Sequence, residues 1–229
     1  MEWQRKLKTF VEAIVPPILL PPIRFVYRSL KPSRHEVPDE RARDADWYDA
    51  RYASEEAYRI HYTATSYYFL WCVVAERMEQ AGVGSVLEIG CGSGQFACLL
   101  RDRGMERYWG FDASRAAVEL ARSTCPQYEF FVANALQTDL YTRLHYDAAI
   151  CMEVLEHIEE DLDVLRNIPQ GTTFFGTVPN FPYVSHVRHF ADCAEVAERY
   201  GALFQDFRVD ALLANERGKR YFLFQGVKH

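Results

Sequence analysis

The sequence predicts an α/β protein, a doubly wound and mostly parallel sheet of seven strands behind an N-terminal helical extension. Three observations carry this prediction. Residues 85–89 form a short apolar run that leads into Gly90, Gly92 and Gly94 and then into a helical pattern from Gln95. Strand-like and helix-like stretches alternate from there onward, the order that builds a parallel sheet with helices on both faces. A second strand pattern ends in Asp112, at about the separation where an acidic residue meets a ribose in nucleotide-binding βαβ units.

The remaining elements follow in order. A helix over 95–103 stops at Gly104, the second strand covers 107–111, and Ser114 caps a helix running to 124. The third, fourth and fifth strands fall at 128–132, 147–152 and 173–178, with helices at 159–167 and 191–200. Two last stretches, 203–209 and 221–227, close the sheet as a hairpin through Glu216-Arg-Gly-Lys219. Upstream, 47–71 is dense in aromatic residues, and helical periodicity over 54–80 makes most of them core contacts.

Residues 1–31 differ from the rest. Basic residues (Arg5, Lys6, Lys8, Arg24, Arg28, Lys31) flank an apolar middle that carries Pro16-Pro17 and Pro21-Pro22. That middle is too short and too rich in proline for a membrane span of about 20 apolar residues, and Glu12 and the prolines interrupt a signal-peptide core. Two readings stay open. The segment lies on a membrane surface, apolar side down, or it is an arm packed on its own domain or on a second subunit, as in a homodimer. Residues 32–46 read as a charged linker. The chain thus divides into an arm and linker (1–46), a helical cover (47–82) and a core (83–229).

Composition narrows the function. The 229 residues carry a formal charge of -6, which does not suit a general nucleic-acid binder and argues against a DNA partner. Six cysteines without a Cys-x-x-Cys pair read as reduced thiols of a cytoplasmic enzyme.

Four stretches carry a family resemblance: Glu88-Ile-Gly-Cys-Gly-Ser-Gly94, Gly110-Phe-Asp-Ala-Ser114, Asn134-Ala135, and the run from Tyr146 to His157. Together they resemble the class I S-adenosylmethionine-dependent methyltransferases, from about residue 85 to the C-terminus. The resemblance implies an antiparallel last strand and S-adenosylmethionine as cofactor. It places Gly90, Cys91, Gly92 and Gly94 along the cofactor with Glu88 near its methionine end. It puts Asp112, with neighbours Phe111 and Ala113, at the ribose, Asn134 and Ala135 at the adenine, and Met152 near the adenosine or sulfonium. In this family the segment before the first strand shapes the acceptor pocket, so Tyr62, Tyr67 and Tyr68 are candidate lining residues.

Glu153, Glu156 and His157 follow the fourth strand directly. On a helix their spacing would put all three on one face, and His189, in His186-Val-Arg-His189, would complete a two-carboxylate, two-histidine site suited to Mg or Mn. The Glu-x-x-Glu-His segment resembles the ubiquinone-pathway O-methyltransferases and the small-RNA 2′-O-methyltransferases. Three readings remain: a metal site, a metal-free base at His157 or His189 assisted by Glu156, and a structural role. Arg188 binds either an anionic substrate group or a carboxylate of the protein. The favoured activity is O-methylation of a small-molecule, glycan or lipid-linked hydroxyl. RNA 2′-O-methylation is second, opposed by the net acidity and the lack of a basic-aromatic stripe. A catalytically silent subunit is opposed by the intact Glu88, Gly92 and Asp112. An NAD-dependent reductase is set aside because the third glycine comes one position earlier than in Gly-x-Gly-x-x-Gly.

Overall fold

The computed structural model describes residues 41–215 and 218–229. The arm and most of the expected linker lie outside the described residues. Strands β1 (Ser85–Ile89), β2 (Arg107–Asp112), β3 (Glu129–Val132), β4 (Ala148–Met152), β5 (Thr173–Pro179), β6 (Phe204–Leu213) and β7 (Arg220–Lys228) form one sheet in the order β3-β2-β1-β4-β5-β7-β6. The first five pair in parallel, while β7 enters antiparallel between β5 and β6. This is the expected mostly parallel, seven-stranded sheet with an antiparallel last strand.

The chain leaves β1 for β2 and β3 on one side, then returns for β4 and β5 on the other. The crevice beyond the ends of β1 and β4 is therefore the topological switch point where open α/β sheets bind ligands. Every residue of β1 and β4 is buried, as a strand covered on both faces requires.

Helices α1 (Ala45–Ser54) and α2 (Tyr68–Gln80) precede the sheet, and α3 (Gln95–Asp102), α4 (Arg115–Thr124), α5 (Leu140–Arg143), α6 (Asp161–Arg166) and α7 (Cys193–Tyr200) connect the strands. Of the helix expected over 54–80, only Tyr68–Gln80 is α-helical; α1 ends where that span begins, and 3₁₀ turns at Glu56–Tyr58 and Tyr62–Ala64 fill the interval. Local polar chemistry explains the break. Asp44 accepts from the Trp47 N–H and starts α1 inside the expected linker, and Glu55 is extended. The His61 ring caps the second turn, and Thr65 is extended again before α2. The four-residue α5 has no counterpart in the sequence reading.

Apolar residues fill both faces of the sheet. On one face Met78, Phe96, Leu100, Val118 and Ile150 meet; on the other, Leu87, Phe111, Tyr141, Leu165, Phe174 and Phe224. On the second face Tyr200 stacks on Phe224 with ring centroids 4.9 Å apart. Gly176 of β5 lies under this ring layer, and a Cβ there would sit 2.5 Å from Phe224 Cζ and 2.7 Å from Phe174 Cε1. Overpacking of this kind costs typically 1–3 kcal/mol, so Gly176→Ala is expected to lose about 2 kcal/mol in urea unfolding with the m-value unchanged.

Candidate functional site

The first half of the site is the turn after β1. Gly90, Gly92 and Gly94 have φ of 73°, 52° and 75°, a left-handed path that side chains disfavour. The N–H groups of Gly90 and Cys91 donate to the Phe111 carbonyl at 2.8 and 3.0 Å. The Asp112 carboxylate accepts from Gly92 N at 3.0 Å through Oδ2 and from Ser114 N at 2.9 Å through Oδ1. One side chain therefore joins the turns after β1 and β2. Burial lifts Asp112 to about 6, against the pull of these N–H donors. Glu88, buried below, accepts from the Tyr108 hydroxyl, and burial pushes it up to about 8.

Helix α1 packs over this turn. Asp49 Oδ1 accepts from the Ser114 hydroxyl at 2.5 Å and from Ala116 N at 3.0 Å, which docks α1 on the N-terminus of α4. Tyr52 then stands above Gly92, where an added Cβ would meet its hydroxyl oxygen at 2.9 Å. One turn earlier, the Tyr48 hydroxyl bonds Ser185 Oγ at 3.4 Å and its ring stands edge-on to His157. The helix touches both halves of the site.

The second half follows β4. Glu153 has φ 55°, its N–H donates to Thr177 Oγ1, and the Thr177 hydroxyl donates back to Glu153 Oε1 at 3.0 Å. The 3₁₀ turn Leu155–His157 comes next. Glu156 is 0% exposed, and neither of its carboxylate oxygens has a hydrogen-bond partner among the described residues. Nε2 of His157 and Nε2 of His186 each lie 3.9 Å from Glu156 Oε1.

The opposite ring nitrogens settle what these Nε2 atoms offer. His157 Nδ1 is 3.0 Å from the Ser185 carbonyl and His186 Nδ1 is 3.1 Å from the Phe181 carbonyl. A carbonyl only accepts, and the Ser185 hydroxyl, also 3.0 Å from His157 Nδ1, gives its proton to the Val184 carbonyl, so each Nδ1 carries the proton and each neutral ring turns a bare Nε2 lone pair inward. Burial holds both histidines down at about 4 and pushes Glu156 well above the usual carboxylate range, with Glu153 adding to the latter. Three acceptors thus converge without a donor among the described residues. Buried oxygens are rarely left so, and the set fits a proton or a hard-to-borderline divalent cation whose histidine ligands are fixed by carbonyls behind them.

Beside this cluster the Phe181 ring lies 6.2 Å from that of His186, and the Tyr221 ring lies 5.7 Å from those of both Phe181 and Tyr67.

Comparison with known proteins decides the family. Residues 34–214 match a family model described as "Methyltransferase domain". The chain belongs to that family. The methyltransferase domain is 31% identical over 102 residues to a ubiquinone biosynthesis O-methyltransferase of Aliivibrio fischeri, a match covering 41% of this chain and 43% of the relative. The chain thus spans less than half the length of that relative. Among solved structures it is similar to the N-methyltransferase NodS from Bradyrhizobium japonicum, in complex with S-adenosylhomocysteine, with TM-score 0.63 and 14% identity over 80% of this chain and 97% of that one. It is equally similar in shape to the [4+2]-cyclase SpnF, with TM-score 0.63 and 16% identity over 82% and 98% of the two chains. The shared fold alone does not fix the chemistry.

Within the domain, Gly90, Cys91, Gly92, Gly94, Asp112 and Ala113 gather at the two adjoining turns. Met152 ends β4, buried. The Phe111 ring points into the core against Tyr141, and its carbonyl is taken by the glycine turn. Asn134 Oδ1 accepts from Leu136 N at 2.8 Å, and the Ala135 carbonyl accepts from the Tyr141 hydroxyl.

The expected helical face of Glu153, Glu156 and His157 does not form. Glu153 is left-handed and pairs with Thr177, so Glu156 and His157 meet a different third residue. That residue is His186 and not His189. A turn closed by His186 N on the Tyr183 carbonyl, together with Val187 N on the Glu156 carbonyl at 2.8 Å, brings His186 inward. Of the three tyrosines, Tyr62 instead donates to Asp102 on α3 and Tyr68 is 38% exposed, while Tyr67 reaches Tyr221. Arg188 binds a protein carboxylate, Asp161. Asp49, Tyr52 and Ser185 have no counterpart in the sequence reading. The i, i+3 spacing of Asp49 and Tyr52 is the signal that a correctly placed α1 would have supplied.

Glu88 and Glu153 are each pushed up to about 8 and Asp112 to about 6. A carboxyl whose folded pKa is raised keeps its proton where the unfolded chain has lost it, so folding stability falls as pH rises across that interval. The melting temperature of the protein is expected to drop by several degrees between pH 6.5 and 8.5, above the range where the lowered His157 and His186 would oppose the trend, and Glu88→Gln to shallow the drop. A flat or rising profile contradicts this assignment.

Proposed function

We propose that this methyltransferase domain binds S-adenosylmethionine across the glycine turn and transfers the methyl group to a ring hydroxyl of a small aromatic acceptor. Glu156, His157 and His186 would hold a divalent cation, Mg or Mn, whose Lewis acidity would lower the pKa of that hydroxyl so that its proton passes to solvent before transfer. The observation that supports this reading is the fully buried Glu156 carboxylate, without a hydrogen-bond partner among the described residues, beside two imidazole Nε2 atoms at 3.9 Å. The relatives named as O-methyltransferases and the S-adenosylhomocysteine bound to NodS support it.

S-adenosylmethionine supplies an electrophilic methyl group. Asp112 has spare lone pairs beyond its two N–H contacts, enough to accept from both ribose hydroxyls. Glu88, held partly protonated near neutral pH by burial, gains its full charge beside a cationic ligand. Tyr52 and α1 close over the turn and exclude water.

A divalent cation supplies Lewis acidity that lowers the pKa of a hydroxyl. Glu156 and the Nε2 atoms of His157 and His186 would hold it. The low histidine pKa values argue against a metal-free imidazole base, since a base works best with a pKa near the operating pH. The aromatic wall of Tyr67, Tyr221 and Phe181 favours a ring over an open-chain or sugar acceptor, and much of the acceleration then comes from holding that ring in line.

The test is transfer of a labelled methyl group to a panel of phenols, aliphatic alcohols and amines, before and after EDTA and after Mn or Mg is restored. Phenolic products are expected, with activity lost in EDTA, and Glu156→Gln is expected to lose about 100-fold or more in rate, the several kcal/mol a Lewis acid supplies. Products on amines alone, or full activity in EDTA, contradict the reading.

A further inference from the structure

The three clustered side chains come from two separate loops. Glu156 and His157 stand on the turn after β4, and His186 stands on the loop after β5. Arg188, on the loop after β5, joins the two loops away from these side chains.

The Arg188 guanidinium, mostly buried, reaches back across the post-β4 turn. Its Nη1 donates to the Leu155 carbonyl at 2.5 Å and also to the Ile158 carbonyl, and its Nη2 donates to the Glu159 carbonyl at 2.9 Å. Nη1 also lies 3.3 Å from Asp161 Oδ2. Asp161 is 0% exposed. It is clamped by Arg199 Nε at 2.8 Å and Nη2 at 2.6 Å, by the Tyr200 hydroxyl at 2.7 Å, and by the Leu162 N–H at 2.9 Å. A buried carboxylate so fully satisfied is a rigid anchor, and removing one of its cations leaves charge behind. Through it, α6 and α7 hold the arginine, and the arginine holds the turn. The neighbouring Val187 N–H closes the same seam on the Glu156 carbonyl at 2.8 Å.

We infer that Arg188, anchored by Asp161, is a positioning residue that sets His186 against Glu156 and His157 and so fixes the geometry of the cation site. It touches no reacting atom. A planar fork that serves three carbonyls and one carboxylate at once is specific to arginine; a lysine ammonium supplies the charge without the geometry. The inference rests on the proposed cation at Glu156, His157 and His186.

The experiment compares wild type, Arg188→Met, Arg188→Lys and Glu156→Gln, with Mn²⁺ alone and S-adenosylhomocysteine alone as probes. Arg188→Met is expected to bind S-adenosylhomocysteine within about twofold of wild type, and to bind Mn²⁺ about 10- to 100-fold more weakly, the usual cost of losing an outer-shell partner. Arg188→Lys is expected not to restore the affinity. Unchanged Mn²⁺ affinity in Arg188→Met overturns the inference. If wild type binds no more Mn²⁺ than Glu156→Gln, the cation reading has failed, and the latch is then judged by hydrogen exchange. Exchange of the Val187 amide at least tenfold faster in Arg188→Met, with β1 amides unchanged, supports it, and unchanged exchange overturns it. Should Arg188→Met not fold, Asp161→Asn takes its place, with the same measurements and the same results for and against.

Discussion

The site depends first on the Asp112 carboxylate, which accepts from Gly92 N on one oxygen and Ser114 N on the other. Those two N–H groups belong to turns that leave adjacent strands at the switch point of the sheet, and without a shared acceptor each would have to find its own. Asp49 of α1 reaches the same place from above, through the Ser114 hydroxyl and Ala116 N. Strand ends, helix N-terminus and cover are thereby fixed to one another within a few ångströms. Three left-handed glycines make the tight turn possible, and the missing Cβ atoms leave room for Val154, Tyr52 and Ala121 to pack against it.

Burial sets the electrostatics of both halves. It raises Glu88, Asp112, Glu153 and Glu156 and lowers His157 and His186. In each case the charged form is the one opposed. A ligand that carries positive charge reverses this opposition for the carboxylates, so binding and ionisation favour one another. Burying these carboxyls opposes their charge, and a ligand carrying positive charge would offset that cost.

The sheet was largely legible because its signals are local. A continuous apolar run such as Val86 to Ile89 needs burial on both faces, and Gly90 to Gly94 then needs a turn whatever packs around it. The cover is less legible because its aromatic spacing looks helical throughout, whereas the chain turns extended at Glu55, and His61 and Thr65 break it through side-chain bonds to the backbone that periodicity does not register. The site shows the same division. Asp112, Glu156 and His157 sit next to strand ends and follow from the motifs. The choice of His186 over His189 depends on how a loop folds against Leu155 to Glu159, which no spacing encodes, and Tyr52 and Asp49 arrive from a segment well upstream of the glycine turn.

The central claim is that the turn tied by Asp112 holds the methyl donor. Calorimetric titration of S-adenosylhomocysteine into the wild-type protein and into Asp112→Ala tests it most directly. The account predicts micromolar binding to wild type and a loss of about 100-fold or more in the variant, as expected for removing a charged acceptor of several hydrogen bonds. Equal affinity of the two proteins, or no binding to wild type, would contradict it.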